Sequence, residues 1–284
     1  MIETLTSRAA IHACTASWRA AGLKVAFVPT MGALHEGHLA LVRAARSTAD
    51  KVVASIFVNP LQFGPGEDLA RYPRPIEKDR MLLASAGADV LFLPPVAEMY
   101  PSGSETRVVQ ERLPNHLCGA ERPGHFTGVL TVVLKLFHQV RPHVAFFGRK
   151  DYQQTVVLRR MAKDLDLDLE LEIRVEPTVR EPDGLAMSSR NAYLSAEDRR
   201  RAPAIKRALD AVVRAFVAGE RRTAELLSAG RAVLAAEGGI ETQYFVASDP
   251  ETLEARADTV RSGDLVAFAG KLGGTRLIDN VALP

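Results

Sequence analysis

The tightest constraint on this chain lies between Val25 and Arg46. A short apolar run, Val25-Ala-Phe-Val28, enters the turn Pro29-Thr-Met-Gly-Ala-Leu-His-Glu-Gly-His38, which leads straight into Leu39-Ala-Leu-Val-Arg-Ala-Ala-Arg46. The order reads as a buried strand, a tight turn and the first turn of a helix. Backbone N–H groups at a helix start have no intrahelical partners, and the helix dipole adds roughly half a positive charge there. Gly32 and Gly37 let the main chain approach a ligand closely. The junction formed by Met31, Gly32, Ala33, Leu34, His35, Glu36, Gly37 and His38 is therefore a candidate phosphate site. His35 and His38 stand three residues apart, so they are expected on one helical face and able to donate to phosphoryl oxygens. A structural turn before a helix is the plainer alternative.

Up to about residue 180, apolar strand-like runs alternate with helical patterns, which argues for a parallel sheet flanked by helices. Expected strands are Val25–Val28, Val52–Val58, Val90–Leu93, Val144–Phe147 and Leu169–Val175. Val129, Val132, Val133, Leu136, Phe137 and Val140 follow helical spacing, with Thr131, Lys135 and His138 on the opposite stripe. Near Pro177 the texture turns polar and turn-rich, with Glu181-Pro-Asp-Gly184. Ser195, with Asp198 three residues on, reads as the cap of a helix burying Ile205, Leu209, Val212, Val213 and Phe216. A second helix over 224–236 and short strands over 242–247, 265–269 and 276–280 complete the pattern. The expected fold is α/β: a Rossmann-like parallel sheet over 1–178, and a smaller α+β domain with a short antiparallel sheet over 179–284.

Composition sets the class of partner. With 284 residues, 47% hydrophobic and 25% charged, the chain has ample material for a buried core. A net charge of +2 gives no electrostatic case for a nucleic-acid partner, and Arg199-Arg-Arg201 reads as a solvated face at a helix start. Cys14 and Cys118 form neither a disulfide framework nor a metal-site spacing. The first eight residues lack a signal-type apolar core and no run reaches membrane length, so a cytoplasmic protein with no membrane partner is expected.

Further motifs follow the expected strands. Asn59 and Gln62, in Ser55-Ile-Phe-Val-Asn-Pro-Leu-Gln-Phe-Gly64, stand beyond the carboxyl end of the second strand, where ligands collect in open α/β sheets. Their neutral amides suit a hydroxyl or a carboxylate, although an Asn-Pro turn can also simply end a strand. Asp79, at the start of a helix, could hold Mg²⁺ through a carboxylate, or could serve only the helix terminus. Arg122 and His125, in Arg122-Pro-Gly-His-Phe-Thr-Gly-Val129, stand at another helix start. Gly148, Arg149, Lys150, Asp151 and Gln154 repeat the strand–glycine–charge–helix order. There Lys150 supplies a compact positive charge, and Asp151 can fix the helix start or a ribose hydroxyl. Met187-Ser-Ser-Arg190 offers two hydroxyls and a guanidinium for stabilising a departing phosphate.

His35-Glu-Gly-His38 resembles the His-x-Gly-His signature of the nucleotidylyltransferase superfamily. The whole series, with Pro29–His38, the Gln62 segment, Pro123–Val129, Gly148–Gln154 and Met187–Arg190 in this order, resembles the pantoate–β-alanine ligase family. The resemblance implies joining pantoate to β-alanine with ATP cleaved to AMP and pyrophosphate, through an acyl adenylate. It implies ATP contacts at the histidine turn, at Gly148–Asp151, at Val179 and at Met187, Ser188, Ser189 and Arg190. It implies pantoate or β-alanine contacts at Gln62, Gln154, Asn59, His125 and Arg122, with Mg²⁺ at Asp79. Catalysis falls to His35, His38, Lys150, Ser188, Ser189 and Arg190, with a lid-like second domain and a homodimer. Lys78 stands where an acid is expected beside Asp79, and Arg149 where the motif often has an acid. The rival readings are a plain nucleotidylyltransferase, a class I aminoacyl-tRNA synthetase, and a nucleotide-binding module without turnover. Near-neutral charge and the absence of an anticodon-binding region argue against the synthetase.

Overall fold

A computed structural model describes residues 2–284, which form two compact units. The first runs up to Glu111 and includes Arg122–Arg149 and Gln154–Pro177; the second is Arg112–Glu121, Lys150–Gln153 and Thr178–Pro284. A single cut at residue 178 does not describe this partition. The reason is local: Gln153 is 5% exposed, donates to the carbonyls of Leu113 and His116 at 2.9 and 2.7 Å, and accepts the Gly119 N–H at 3.3 Å. Those bonds tie two short segments to each other, and the Tyr152 hydroxyl ties them on to the Pro250 carbonyl at 3.2 Å.

In the first unit six parallel strands, β1 (Glu3–Leu5), β2 (Val25–Thr30), β3 (Lys51–Ile56), β4 (Val90–Phe92), β5 (Val144–Gly148) and β6 (Glu172–Glu176), pair in the order β1-β4-β3-β2-β5-β6. β2, β3 and β5 read as unbroken apolar runs because helices cover both faces of a parallel sheet. The strand expected from Leu169 starts only at Glu172, because Leu167–Leu169 is a 3-10 turn. β2 pairs with both β3 and β5, so chain order reverses between β2 and β5. Their carboxyl ends flank a topological switch point, the place where open α/β sheets bind ligands. The helix His125–Val140 buries its apolar stripe, and Phe137 makes edge-on contacts with Phe27 and Phe147. Thr131, expected on the polar stripe, is buried: it donates to the Thr127 carbonyl and accepts the Val108 N–H, so its hydroxyl needs no water.

The second unit packs the helices Ala204–Val217 and Thr223–Glu237 with an antiparallel sheet, β7 (Ile240–Ser248), β8 (Leu265–Leu272) and β9 (Thr275–Ala282), in the order β7-β8-β9. Ser195 caps a helix by accepting the Asp198 N–H, but that helix ends at Arg201. Pro203, which has no N–H to continue it, separates it from the helix burying Ile205, Leu209, Val212 and Phe216. Val213 is only half-buried. Arg199, Arg200 and Arg201 thus lie in the last turn of the short helix, where cations complement the dipole, not at a start. No helix among the described residues is long and apolar enough to cross a membrane.

Candidate active site

The turn after β2 is held from beneath. Gly32 and Ala33 adopt left-handed backbone (φ +82° and +52°), which swings the chain from the strand into the helix Glu36–Arg46. The Ala33 and Leu34 N–H groups donate to the two carboxylate oxygens of Asp79 at 2.8 and 2.9 Å. A side chain at Gly32 would meet Ile56 and that same carboxylate at 3.0 and 3.1 Å. Burial pushes the Asp79 carboxyl up, and the two N–H groups and Lys78 oppose the shift. Asp79 is 0% exposed, and both its carboxylate oxygens are taken by main-chain N–H groups. Asp79 therefore does not fit the Mg²⁺ role expected of it. It clamps the turn.

His35 is the N-cap of that helix and lies before its first turn, so the two imidazoles do not share a helical face as expected. They meet by reciprocal capping. The Gly37 N–H donates to His35 Nδ1 at 3.2 Å and the His35 N–H to His38 Nδ1 at 3.4 Å, leaving ring centroids 4.1 Å apart. With each Nδ1 accepting, the proton of each neutral ring belongs on Nε2. Both rings are thereby oriented as Nε2–H donors at a helix N-terminus. Glu36 pairs with Arg43 on the helix surface.

Beyond β3 the contacts converge on Gln62. Asn59, 1% exposed, donates from Nδ2 to Gln62 Oε1 and to the Gly128 carbonyl, each at 3.0 Å. Its Oδ1 accepts the Tyr100 hydroxyl at 2.8 Å and the Leu61 N–H at 3.3 Å. Asn59 is fully engaged and orients Gln62, whose Oε1 faces Asn59 and whose Nε2 reaches Met31 Sδ at 3.1 Å. The Gln62 amide is thus fixed at its oxygen, and its Nε2, an amide donor with two N–H groups, has the chemistry for a carboxylate or hydroxyl. His125 Nδ1 donates to the Gln62 carbonyl at 2.8 Å, and Nε2 accepts from Arg122 at 3.1 Å.

Arg122, expected to face an anion, makes a two-pronged pair with Glu67 at 2.7 and 2.6 Å. Burial alone would raise the Glu67 carboxyl, but the hydrogen bonds and charge of Arg122 hold it below the usual range. Arg122 and His125 act on the backbone of Gln62. Tyr100 and the clamping role of Glu67 were not visible as parts of this cluster, because their partners are 41 and 55 residues away.

In the second unit Lys150 lies in the 3-10 turn Arg149–Asp151, with its ammonium 3.8 Å from Asp151. Arg149 is exposed and Gln154 half-buried, whereas the neighbouring Gln153 is fully bonded. The Met187 N–H donates to the Val179 carbonyl at 3.0 Å, so two residues expected near the nucleotide are hairpin partners. Ser188 caps the 3-10 helix Ser189–Tyr193 by accepting the Arg190 N–H at 3.2 Å. The turn and the hairpin present Lys150, Ser188, Ser189 and Arg190 on short, capped backbone.

A model of the pantoate-beta-alanine ligase family matches residues 3–282. The chain is 56% identical over 259 residues to a pantothenate synthetase of Acidobacterium capsulatum, spanning 91% of this chain and 86% of that one. It is 49% identical over 282 residues to the pantothenate synthetase of Desulfatibacillum aliphaticivorans, spanning 99% of both. The crystal structure of pantothenate synthetase from Thermus thermophilus matches at a TM-score of 0.92 and 49% identity over 100% of each chain. The pantoate-beta-alanine ligase of Francisella tularensis, complexed with beta-gamma ATP and beta-alanine, matches at 0.80 and 34% over 99% and 98%. Likeness of this depth along the whole described fold establishes that the chain belongs to the pantoate–β-alanine ligase family.

Proposed function

We propose that this chain condenses pantoate with β-alanine to pantothenate at the expense of ATP, releasing AMP and pyrophosphate. The observation that carries the reading furthest is the capped histidine pair, whose Nε2–H donors stand at a helix N-terminus. Family membership supplies the substrates. In the first step a pantoate carboxylate oxygen bonds to the α-phosphorus as the α–β phosphoanhydride bond breaks. Pantoyl adenylate forms and pyrophosphate leaves. The nucleophile is already an anion, so the step needs positioning and charge neutralisation more than covalent help.

His35 donates toward the α-phosphate and His38 toward the departing phosphates; Lys150, Ser188, Ser189 and Arg190 neutralise the pyrophosphate. Gln62 and Gln154 orient pantoate. In the second step the neutral β-alanine nitrogen bonds to the acyl carbon, the carbon–oxygen bond to AMP breaks, and the amine sheds a proton. Mg²⁺ enters with the ATP phosphates as part of the substrate, and no step passes through a protein-held ion. A homodimer completes the proposal and rests on family resemblance.

One assay tests the reading: incubation with ATP, Mg²⁺, pantoate and β-alanine while AMP, pyrophosphate and the amide are followed. Pantoate-dependent exchange of labelled pyrophosphate into ATP, without β-alanine, isolates the first step. Consumption of ATP without AMP sinks the proposal.

A further inference from the structure

The second unit contains a pair of buried polar residues to which the reaction assigns nothing. Asp279 and Asn280 are consecutive on β9 and only 3% and 5% exposed. The Asp279 carboxylate receives Arg180 from two sides, Nη1 to Oδ2 at 2.6 Å and Nη2 to Oδ1 at 3.0 Å, and Oδ1 also accepts the Asn280 N–H at 2.8 Å. Arg180 Nη1 also donates to the Gly184 carbonyl at 3.0 Å. That guanidinium therefore staples the hairpin in which Arg180 bridges Ala186 and the Glu181 N–H bonds to the Leu185 carbonyl at 2.8 Å. The next three residues after Met187 are Ser188, Ser189 and Arg190.

Asn280 acts on a different segment. Its Nδ2 donates to the Lys150 carbonyl at 2.9 Å, fixing the main chain of the lysine while leaving the ammonium out of the contact. Neighbours on a strand project to opposite faces. One strand thus grips the hairpin arm with one residue and the lysine-bearing turn with the next.

We propose that Asp279 and Asn280 are positioning residues for the phosphates of ATP: Asp279 through Arg180 sets the segment carrying Ser188–Arg190, and Asn280 sets Lys150. The proposal rests on the functional reading above, in which those groups meet the nucleotide. A two-pronged Arg–carboxylate pair fixes orientation as well as distance, and misplacement of a phosphate-binding group by about 1 Å costs on the order of 10²-fold in rate.

The test is a pair of double-mutant cycles read as kcat and KM for ATP and for pantoate, with thermal midpoints alongside. Asn280→Ala and Asp279→Asn are each expected to lower kcat/KM for ATP about 10–100-fold while KM for pantoate stays within about twofold. On a Lys150→Ala background, Asn280→Ala is expected to add less than about twofold, because it acts through that lysine, whereas Asp279→Asn keeps its full effect. Should Asp279→Asn not fold, Arg180→Lys, which keeps the charge and loses the fork, takes its place. Full additivity of Asn280→Ala with Lys150→Ala overturns the proposal, as does an equal loss for both substrates that tracks thermal stability. An unmodified chain that forms no AMP overturns the functional reading and this proposal with it; an active chain indifferent to both substitutions overturns this proposal alone.

Discussion

Gly128→Ala probes how the Gln62 amide, proposed to orient pantoate, is held. Gly128 lies in the first turns of the helix His125–Val140, where a Cβ would sit 2.3 Å from the Leu61 carbonyl oxygen, 2.5 Å from its carbon and 2.6 Å from the Gln62 nitrogen. All three are main-chain atoms, so no side chain can swing aside. Restoring ordinary contact requires the turn and the helix to part by about 1 Å, since carbon contacts are optimal near 3.5–4.0 Å. That movement stretches the 3.0 Å bond from Asn59 to the Gly128 carbonyl, and with it the Asn59 contact that orients Gln62.

Overpacking of this kind costs about 1–3 kcal/mol of stability. A displacement of about 1 Å in a substrate-orienting group costs on the order of 10²-fold in rate. The expected outcome is a fall of about 10²-fold in kcat/KM for pantoate, with KM for ATP changed by less than about twofold. Circular dichroism and a thermal scan establish that the variant is folded, and Gly274→Ala, where no atom lies within 4 Å of the added carbon, is the control. A folded Gly128→Ala enzyme with normal pantoate kinetics refutes the idea that this close approach sets Gln62.

Three further outcomes follow from the geometry. His38→Ala should slow pantoate-dependent pyrophosphate exchange by roughly 10²–10³-fold, the scale of one lost transition-state donor, and near-normal exchange would remove His38 from the mechanism. Asp79→Asn places an amide where two N–H groups need acceptors, so urea unfolding should show a loss of about 1–3 kcal/mol. The Mg²⁺ concentration giving half-maximal rate should stay unchanged in that variant; a marked rise would restore Asp79 as a metal ligand. The third outcome concerns pH. His143 Nδ1 accepts the Val25 N–H at 2.9 Å, and burial, followed by the charges of Arg19 and Lys24, lowers its pKa below the ordinary 6.5. The folded state then binds this proton less readily than the unfolded one, so stability should be level above pH 6.5 and decline as pH falls through it. Urea midpoints at stepped pH, with His143→Asn as the non-titrating reference, should show that slope lost in the variant.

What the sequence made legible was local. The strand–turn–helix at Val25–Arg46 is written in contiguous residues, because an apolar strand, a positive-φ glycine and a cap must follow one another closely. The same holds for Gly148–Lys150 after β5. What stayed hidden was pairing at long range. Asp79 reads as an acid at a helix start, and only the fold brings it to Ala33 and Leu34, 46 and 45 residues earlier. Arg122 reads as an anion binder until Glu67, 55 residues away, is found across its fork. β1 escaped notice because Glu3, Thr4 and Leu5 are too few to carry a periodicity and gain strand geometry only from β4. The break at Pro203 was legible in principle, since a proline cannot continue the ladder, but the apolar spacing on either side masked it.

The expected site residues divide by how the protein itself engages them. Asn59, Asp79 and Arg122, each expected as a ligand contact, are polar side chains whose hydrogen-bonding groups are engaged within the protein itself. Asp79 is 0% exposed and Asn59 1%, and each bonds to backbone that carries a better candidate. The reason is energetic: a buried polar group must be satisfied in the folded chain, with or without substrate, so it makes a stable support and a poor contact for a ligand that comes and goes. The groups proposed to meet substrate are instead held through one polar atom or through the main chain: the two histidines through Nδ1, Gln62 through Oε1, and Lys150 through its carbonyl. Full internal bonding separates Gln153 from Gln154, and Asn59 from Gln62, where residue type and spacing cannot.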